Sequence, residues 1–224
     1  MPHIAVFGGT GASGQCIIEE ALSRNYTLTI LARNPSKLPE HILSSPSITI
    51  IQSSLSDHAA ISQALDNADA VLSALGPSLN VRTAVNGLTQ HDTPLANGYK
   101  TILQVMKDKG IKRLIALGTI SMEDEDDGHS LVAWSMVSAV WVFLHSAWKD
   151  VVEIGKVIQA SEGIDWTIAR VAKLTNEKRG DVRAGYVGKD KSGIFVARKD
   201  LATWFLDELE QSNWIKKMPI VYSK

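Results

Sequence analysis

The sequence predicts an α/β fold: a doubly wound parallel sheet between two layers of helices, three layers in all. Three observations carry this. Short apolar runs alternate with amphipathic stretches through the N-terminal half, as successive βαβ units require. Those apolar runs are continuous rather than alternating, which fits strands covered on both faces. A glycine cluster stands directly between the first run and the first amphipathic stretch, where a strand turns into a helix. At 224 residues the chain fits one domain, 1–224, with no linker or internal repeat to divide it.

Each element follows in order. Ile4 to Phe7 reads as a buried strand. Ser13 to Arg24 reads as a helix with Ile17, Ile18, Ala21 and Leu22 on one side, the spacing of a packed face. Thr27 to Ala32 and Ile48 to Ile51 are strands, and Ala59 to Leu65 is a short helix behind Asp57, an N-cap residue. Ala70 to Leu75 is a strand, Leu95 to Lys109 a helix stopped by Gly110, and Leu114 to Leu117 a strand. A long helical region covers about 131–161, followed by a strand at Trp166 to Ala169. Lys173 to Ser192 reads as loop-rich, Asp200 to Leu209 as a late helix and Ile220 to Tyr222 as a last strand.

Composition excludes several classes. Lys plus Arg is 23 and Asp plus Glu is 24, a net charge of −1. That balance gives no general attraction for nucleic acid or for an anionic membrane. Cys16 stands alone, so no disulfide forms within the chain and a cysteine-rich zinc site is excluded. A single thiol suits a reducing compartment, and the expected location is the cytoplasm. The N-terminus has no basic segment ahead of its first strand, so no targeting peptide is expected. Leu131 to Trp148 carries no Asp, Glu, Lys or Arg, but Ser135, Ser138, His145 and Ser146 interrupt it and Lys149-Asp150 end it. It is expected to be a buried or lid helix, not a span. The acidic run Glu123 to Asp127 reads as a solvated loop.

The chemistry begins at Gly8-Gly9-Thr10-Gly11-Ala12-Ser13-Gly14. Glycines at 8, 11 and 14 suit a tight turn, a backbone that approaches a pyrophosphate, and a helix packed close to its strand, as in a Rossmann-type dinucleotide site. The helix N-terminus then attracts the anion, and Thr10 and Ser13 add hydroxyls. The second strand ends Ala32-Arg33-Asn34-Pro35-Ser36-Lys37. The acid that accepts the ribose 2′-hydroxyl of NAD is missing there. Arg33 and Lys37 suit a 2′-phosphate instead, so NADP(H) is the expected cofactor.

These residues, with Leu31 to Leu38 and Asp165-Trp166-Thr167-Ile168-Ala169-Arg170, resemble the atypical short-chain dehydrogenases of the NmrA-like, NAD(P)-binding kind. The layout is similar to the biliverdin reductase B (flavin reductase) subgroup, and the likeness covers almost the whole chain. It implies a cofactor laid across the strand ends. Thr10, Ala12, Ser13 and Gly14 would meet the pyrophosphate, and Arg33 and Lys37 the 2′-phosphate. Ser54 and Leu55 would border the adenine, Leu75 and Gly76 the ribose, and Gly118, Thr119 and Val171 the nicotinamide. Where the family commonly has Arg-Pro after its sixth strand, this chain has Arg170-Val171.

The catalytic pattern departs from the typical one. A Tyr-x-x-x-Lys pair stacks a phenol one turn from a cation that lowers its pKa. None of Tyr26, Tyr99, Tyr186 or Tyr222 has that lysine. The nearest substitute is His145-x-x-x-Lys149, with Thr119 and Ser121 after the fifth strand to hydrogen-bond a carbonyl. Ser121, His145 and Lys149 are therefore the catalytic candidates. Trp134, Trp141 and Trp148 recur every seven residues. In one continuous helix they share a stripe, since that repeat drifts only about 20° per step. Val137, Val140 and Leu144 widen it. The stripe suits core packing, a lid over a flat apolar substrate, or a homodimer contact through the Trp134–Trp148 helix.

Segments 120–150 and 173–197 are expected to form the substrate side; Lys178 and Arg179 read first as a solvated loop, with contact to an anionic group as the alternative. No metal is expected. The expected function is an NADP(H)-dependent oxidoreductase that reduces a conjugated carbonyl or aromatic apolar small molecule, with a biosynthetic pathway as a fitting setting. Two alternatives stand beside it: a redox-neutral isomerase or cyclase, and an NmrA-like dinucleotide-sensing regulator without turnover.

Overall fold

A computed structural model of the chain describes residues 2–77, 93–143, 145–177, 180–189 and 193–224. Leu144, Lys178 and Arg179 lie outside them, so the expectations for those residues do too.

The first βαβ unit is β1 (His3–Phe7), α1 (Ala12–Ser23) and β2 (Thr27–Ala32). A 3₁₀ turn at Pro35–Lys37 and the short α2 (Glu40–Leu43) lead to β3 (Ile48–Gln52). Then come α3 (His58–Ala64), β4 (Ala70–Ser73), α4 (Pro94–Asp108) and β5 (Arg113–Thr119). Two helices, α5 (Leu131–Phe143) and α6 (His145–Gln159), precede β6 (Asp165–Val171). The chain ends with β7 (Lys173–Thr175), β8 (Val182–Gly185), β9 (Phe195–Ala197), α7 (Arg198–Gln211) and β10 (Ile220–Ser223).

The main sheet runs β3-β2-β1-β4-β5-β6-β10-β8. All its pairs are parallel except β10 with β8. This is a Rossmann-like α/β fold. Strand order reverses between β1 and β4, and that switch point opens a crevice at the strand C-termini. On one face α3, α4 and α6 bury Ile61, Tyr99, Ile102, Ile154 and Ile158 against Ala5, Phe7 and Leu114. On the other, α1 and α7 bury Ile17, Ile18, Leu201 and Phe205 against Val6, Ile30 and Ile115. Cys16 packs, half-buried, against that second cluster, as a small hydrophobe does.

Local signals explain the helix starts. Asp57 Oδ1 accepts the Ala60 N–H at 3.0 Å and caps α3. Pro94 opens α4, and its cap comes from a distance: Asp150 of α6 accepts the N–H groups of Leu95 and Ala96 at 3.1 and 2.9 Å.

Three expectations change. The stretch read as loop-rich from Lys173 also contains the short strands β7 and β8, and β7 pairs with β9 in a separate two-stranded sheet. Both are short, and neither Lys173–Thr175 nor Val182–Gly185 is the continuous apolar run that marks the other strands. The acidic run is not wholly solvated, because Asp127 pairs with Arg170, whose side chain is completely buried. The tryptophan stripe splits: Trp134 is 71% and Trp141 50% exposed, while Trp148 is half-buried. Among the described residues no helix is long and apolar enough to cross a membrane.

Candidate functional site

The glycine turn forms one end of a cleft of about 710 Å³ at the switch point. Gly8 has φ +77°, and a Cβ there would come within 2.6 Å of the Ala74 backbone at the end of β4. Any side chain would therefore be strained and would also collide. A Cβ on Gly14 would lie 2.3 Å from the Gly8 carbonyl oxygen, so this glycine allows α1 to pack against the turn. Gly11 differs. A Cβ there would meet only the Gly8 oxygen, at 3.5 Å, and the residue lines the open cleft. Gly11 is also the N-cap of α1, with no side-chain cap and no acid in the first turn. That leaves backbone N–H groups and the positive helix end for an anion.

The expected contacts gather here. Gly8, Thr10, Gly11, Arg33, Lys37, Ser54, Leu55, Leu75 and Gly76 all line the cleft. Ala12 is exposed on the first turn of α1, and Ser13 and Gly14 are buried behind it. Pro94, Asn97, Gly98 and Thr101 of α4 close the opposite wall, a contribution that sequence reasoning missed. It also missed Gln15. Its Nε2 donates to the carbonyls of Thr10 and Lys37, each at 3.2 Å, and ties the turn to the segment that carries the two cations.

A second, smaller chamber of about 190 Å³ adjoins the cleft and shares Pro77 with it. Thr119, Ile120 and Ser121 come from the end of β5, and Val171 and Ala172 from the end of β6. Met136 and Val137 of α5 and Ala147, Trp148 and Val151 of α6 complete it. The walls are apolar, and Thr119 and Ser121 bring hydroxyls to them. Thr119 Oγ1 accepts the Ser121 N–H at 3.3 Å, and Ser121 is buried. Gly118 lies under the floor, where a Cβ would meet Ile168 at 2.5 Å and the Met122 sulfur at 2.8 Å.

The model of the NAD(P)H-binding family matches residues 8–212. The chain belongs to this family. A curated relative, reductase pytE of Aspergillus terreus, is 24% identical over 93% of this chain and 91% of its own. A short-chain dehydrogenase/reductase from Veillonella parvula, solved in complex with NADP, superposes with a TM-score of 0.78 at 17% identity, covering 99% of this chain and 94% of that one. The oxidoreductase ylbE from Lactococcus lactis gives 0.76 at 16% identity, with coverage of 99% and 91%. These structures share the fold.

The remaining candidates of this NAD(P)H-binding chain lie apart from the chamber lining. His145 and Lys149 are exposed. The His145 ring sits between two indoles: edge-on to Trp141 with centroids 5.6 Å apart, and stacked near Trp148 at 5.7 Å. Among the described residues no cluster of His, Cys, Asp or Glu could hold a metal ion.

Two buried charges were not foreseen. Asp150, one residue beyond Lys149, is pushed up from the usual carboxylate range by burial, against the pull of its two backbone N–H partners. Arg170 donates to the Met122 and Met218 carbonyls and grips Asp127 with both Nη groups. Nearby, burial and the charges of Asp126 and Asp124 push the Tyr186 phenol up to about 12.

Proposed function

We propose that this protein is an NADP(H)-dependent reductase of the atypical short-chain dehydrogenase type, acting on a compact, apolar conjugated carbonyl or aromatic compound. The observation that carries the reading is the apolar chamber joined at Pro77 to the dinucleotide cleft. The curated reductase relative supports the reaction class.

The residues present fit the cofactor. The open Gly11 and the uncapped start of α1 suit a pyrophosphate, held by the backbone of Thr10, Ala12 and Ser13, with Gly8 and Gly14 permitting the approach. Arg33 and Lys37 supply two cations for the 2′-phosphate. Ser54 and Leu55 would border the adenine, Leu75 and Gly76 the ribose, and Gly118, Thr119 and Val171 the nicotinamide. Bound NADPH supplies a hydride donor.

The chain's own part is to bind and orient. The apolar chamber walls pack against a flat substrate. Ser121 Oγ hydrogen-bonds the substrate oxygen and favours charge on it as reduction proceeds, with Thr119 beside it. His145 and Lys149 are exposed outside the lining, so this reading draws the proton from water rather than from either of them. Segment 120–150 supplies six of the chamber residues, Ile120, Ser121, Met136, Val137, Ala147 and Trp148.

The test is NADPH oxidation, followed by its near-ultraviolet absorbance, across neutral quinones, enones and flavins. The expected result is turnover with an apolar quinone or enone, reduced about tenfold or more by Ser121→Ala. Product formed without cofactor consumption would overturn it in favour of a redox-neutral isomerase or cyclase. Tight NADP(H) binding with no turnover would favour a dinucleotide-sensing regulator.

A further inference from the structure

The acidic run after β5 and the arginine that ends the β6 motif are far apart in the chain, yet they form one joint. The Arg170 side chain has 0% exposure and Asp127 19%. Arg170 Nη1 lies 2.5 Å from Asp127 Oδ2, and Nη2 lies 2.7 Å from Oδ1, a two-pronged pair. The same guanidinium donates to the Met122 carbonyl at 2.8 Å, fixing the loop one residue beyond Ser121. It also donates to the Met218 carbonyl just ahead of β10.

Asp127 reaches further. Its Oδ1 accepts the Val187 N–H at 2.9 Å, while the Gly128 N–H donates to the Val187 carbonyl at 2.6 Å. Glycine makes this approach feasible: Gly188 has φ +71°, and a Cβ on it would lie 2.7 Å from the Gly128 carbonyl carbon. The Val187 side chain belongs to a small cluster with Ile220 and Tyr222, packed by Ile120, Ala133 and Ala172. Ile120 and Ala172 line the chamber, and Ala133 belongs to α5, which forms its roof.

We propose that the Arg170–Asp127 pair is the positioning latch of the substrate chamber. It holds the Ser121 loop, the Val187 segment and, through Ala133, the α5 roof in register over the strand ends. Its hydrogen bonds reach none of the described residues that line the dinucleotide cleft, so its main effect falls on the chamber. These are positioning residues, since neither lines the chamber. The assignment of the chamber to a substrate rests on the reductase reading above; the latch itself rests on the hydrogen bonds.

The experiment compares wild type with Asp127→Asn and with the charge-free pair Arg170→Met/Asp127→Leu. The second variant covers the case in which Asp127→Asn fails to fold, because replacing both buried charges avoids stranding one. Menadione serves as the chamber probe, measured by equilibrium dialysis against NADP⁺-saturated protein, alongside amide hydrogen exchange. The expected result is menadione binding weakened about tenfold, with NADP⁺ affinity held within about twofold. Exchange should accelerate together in 120–128 and 182–189. Unchanged exchange and menadione affinity in a folded variant would overturn the latch, as would equal losses of menadione and NADP⁺ binding. If wild type binds no menadione, the exchange arm still decides the latch, and the failure belongs to the substrate reading.

Discussion

Arg33 and Lys37 line one end of the cleft, and no carboxylate closes β2 beside them. A planar guanidinium forms paired hydrogen bonds with a phosphate, whereas a lone 2′-hydroxyl gives it little to grip. Charge-assisted bonds of this kind are worth about 1.5–3 kcal/mol. Arg33→Gln is therefore expected to raise the Kd for NADP(H) by about 10–100-fold and to leave NAD(H) nearly unchanged, as read by cofactor fluorescence titration. Equal weakening of both cofactors would remove Arg33 from the 2′-phosphate. This pair was legible in sequence because both residues follow β2 within one turn of chain. The Arg170–Asp127 pair was not. Its partners are 43 residues apart, and Asp127 is the last of five consecutive acids that look alike in one dimension. Gln15 was hidden for a different reason: its partner carbonyls belong to backbone, which carries no sequence signal.

At the scale of elements, apolar runs and periodicity found the helices and the core strands and missed the short strands that lack an apolar run. The glycine turn, α1 and β1 to β6 were readable because apolar clusters lie on both faces of the sheet and the apolar runs are continuous. β7, β8 and β9 have only three or four residues, and partners rather than pattern define them. The tryptophan stripe was a sound reading of spacing, but the burial of a stripe depends on which neighbour covers it. The chamber takes Met136, Val137 and Trp148, and leaves Trp134 and Trp141 outward. The first parallel pair carries a pH effect of its own. His3 on β1 bonds Thr27 Oγ1 and Thr29 Oγ1 of β2 at 2.8 and 2.9 Å. Burial holds its pKa below the ordinary value of 6.5, against an upward pull from Asp69. The fold thus favours the neutral ring. That contribution is complete above pH 6.5 and is lost as pH falls through the lower folded value. Urea midpoints of wild type should fall over that acid window, and those of His3→Gln should fall less steeply. Parallel slopes would show that His3 does not couple to folding.

Across the whole molecule the sheet divides the labour. The ends of β1 to β4 line the dinucleotide cleft, the ends of β5 and β6 line the chamber, and Pro77 after β4 belongs to both. The sequence foretold parallel strands with helices on both faces; the order of the strands and the antiparallel edge pair β10–β8 come from the structure. The cleft joins elements on both sides of the switch point, including α3's neighbour loop at Ser54 and the start of α4. A ligand bound there ties the N-terminal units to the rest of the sheet and stabilises the native state alone. At a hundredfold excess over its Kd, such a ligand adds about 2.7 kcal/mol to the unfolding free energy. For a domain of this size each kcal/mol moves Tm by about 2–4 °C, so NADP⁺ should raise it by about 5–10 °C. Menadione added after NADP⁺ should raise it further, and Asp127→Asn should lose that second increment while keeping the first. A menadione shift that survives Asp127→Asn would overturn the latch, and an NADP⁺ shift lost along with it would mean that cleft and chamber are one mechanical unit and not two joined at Pro77.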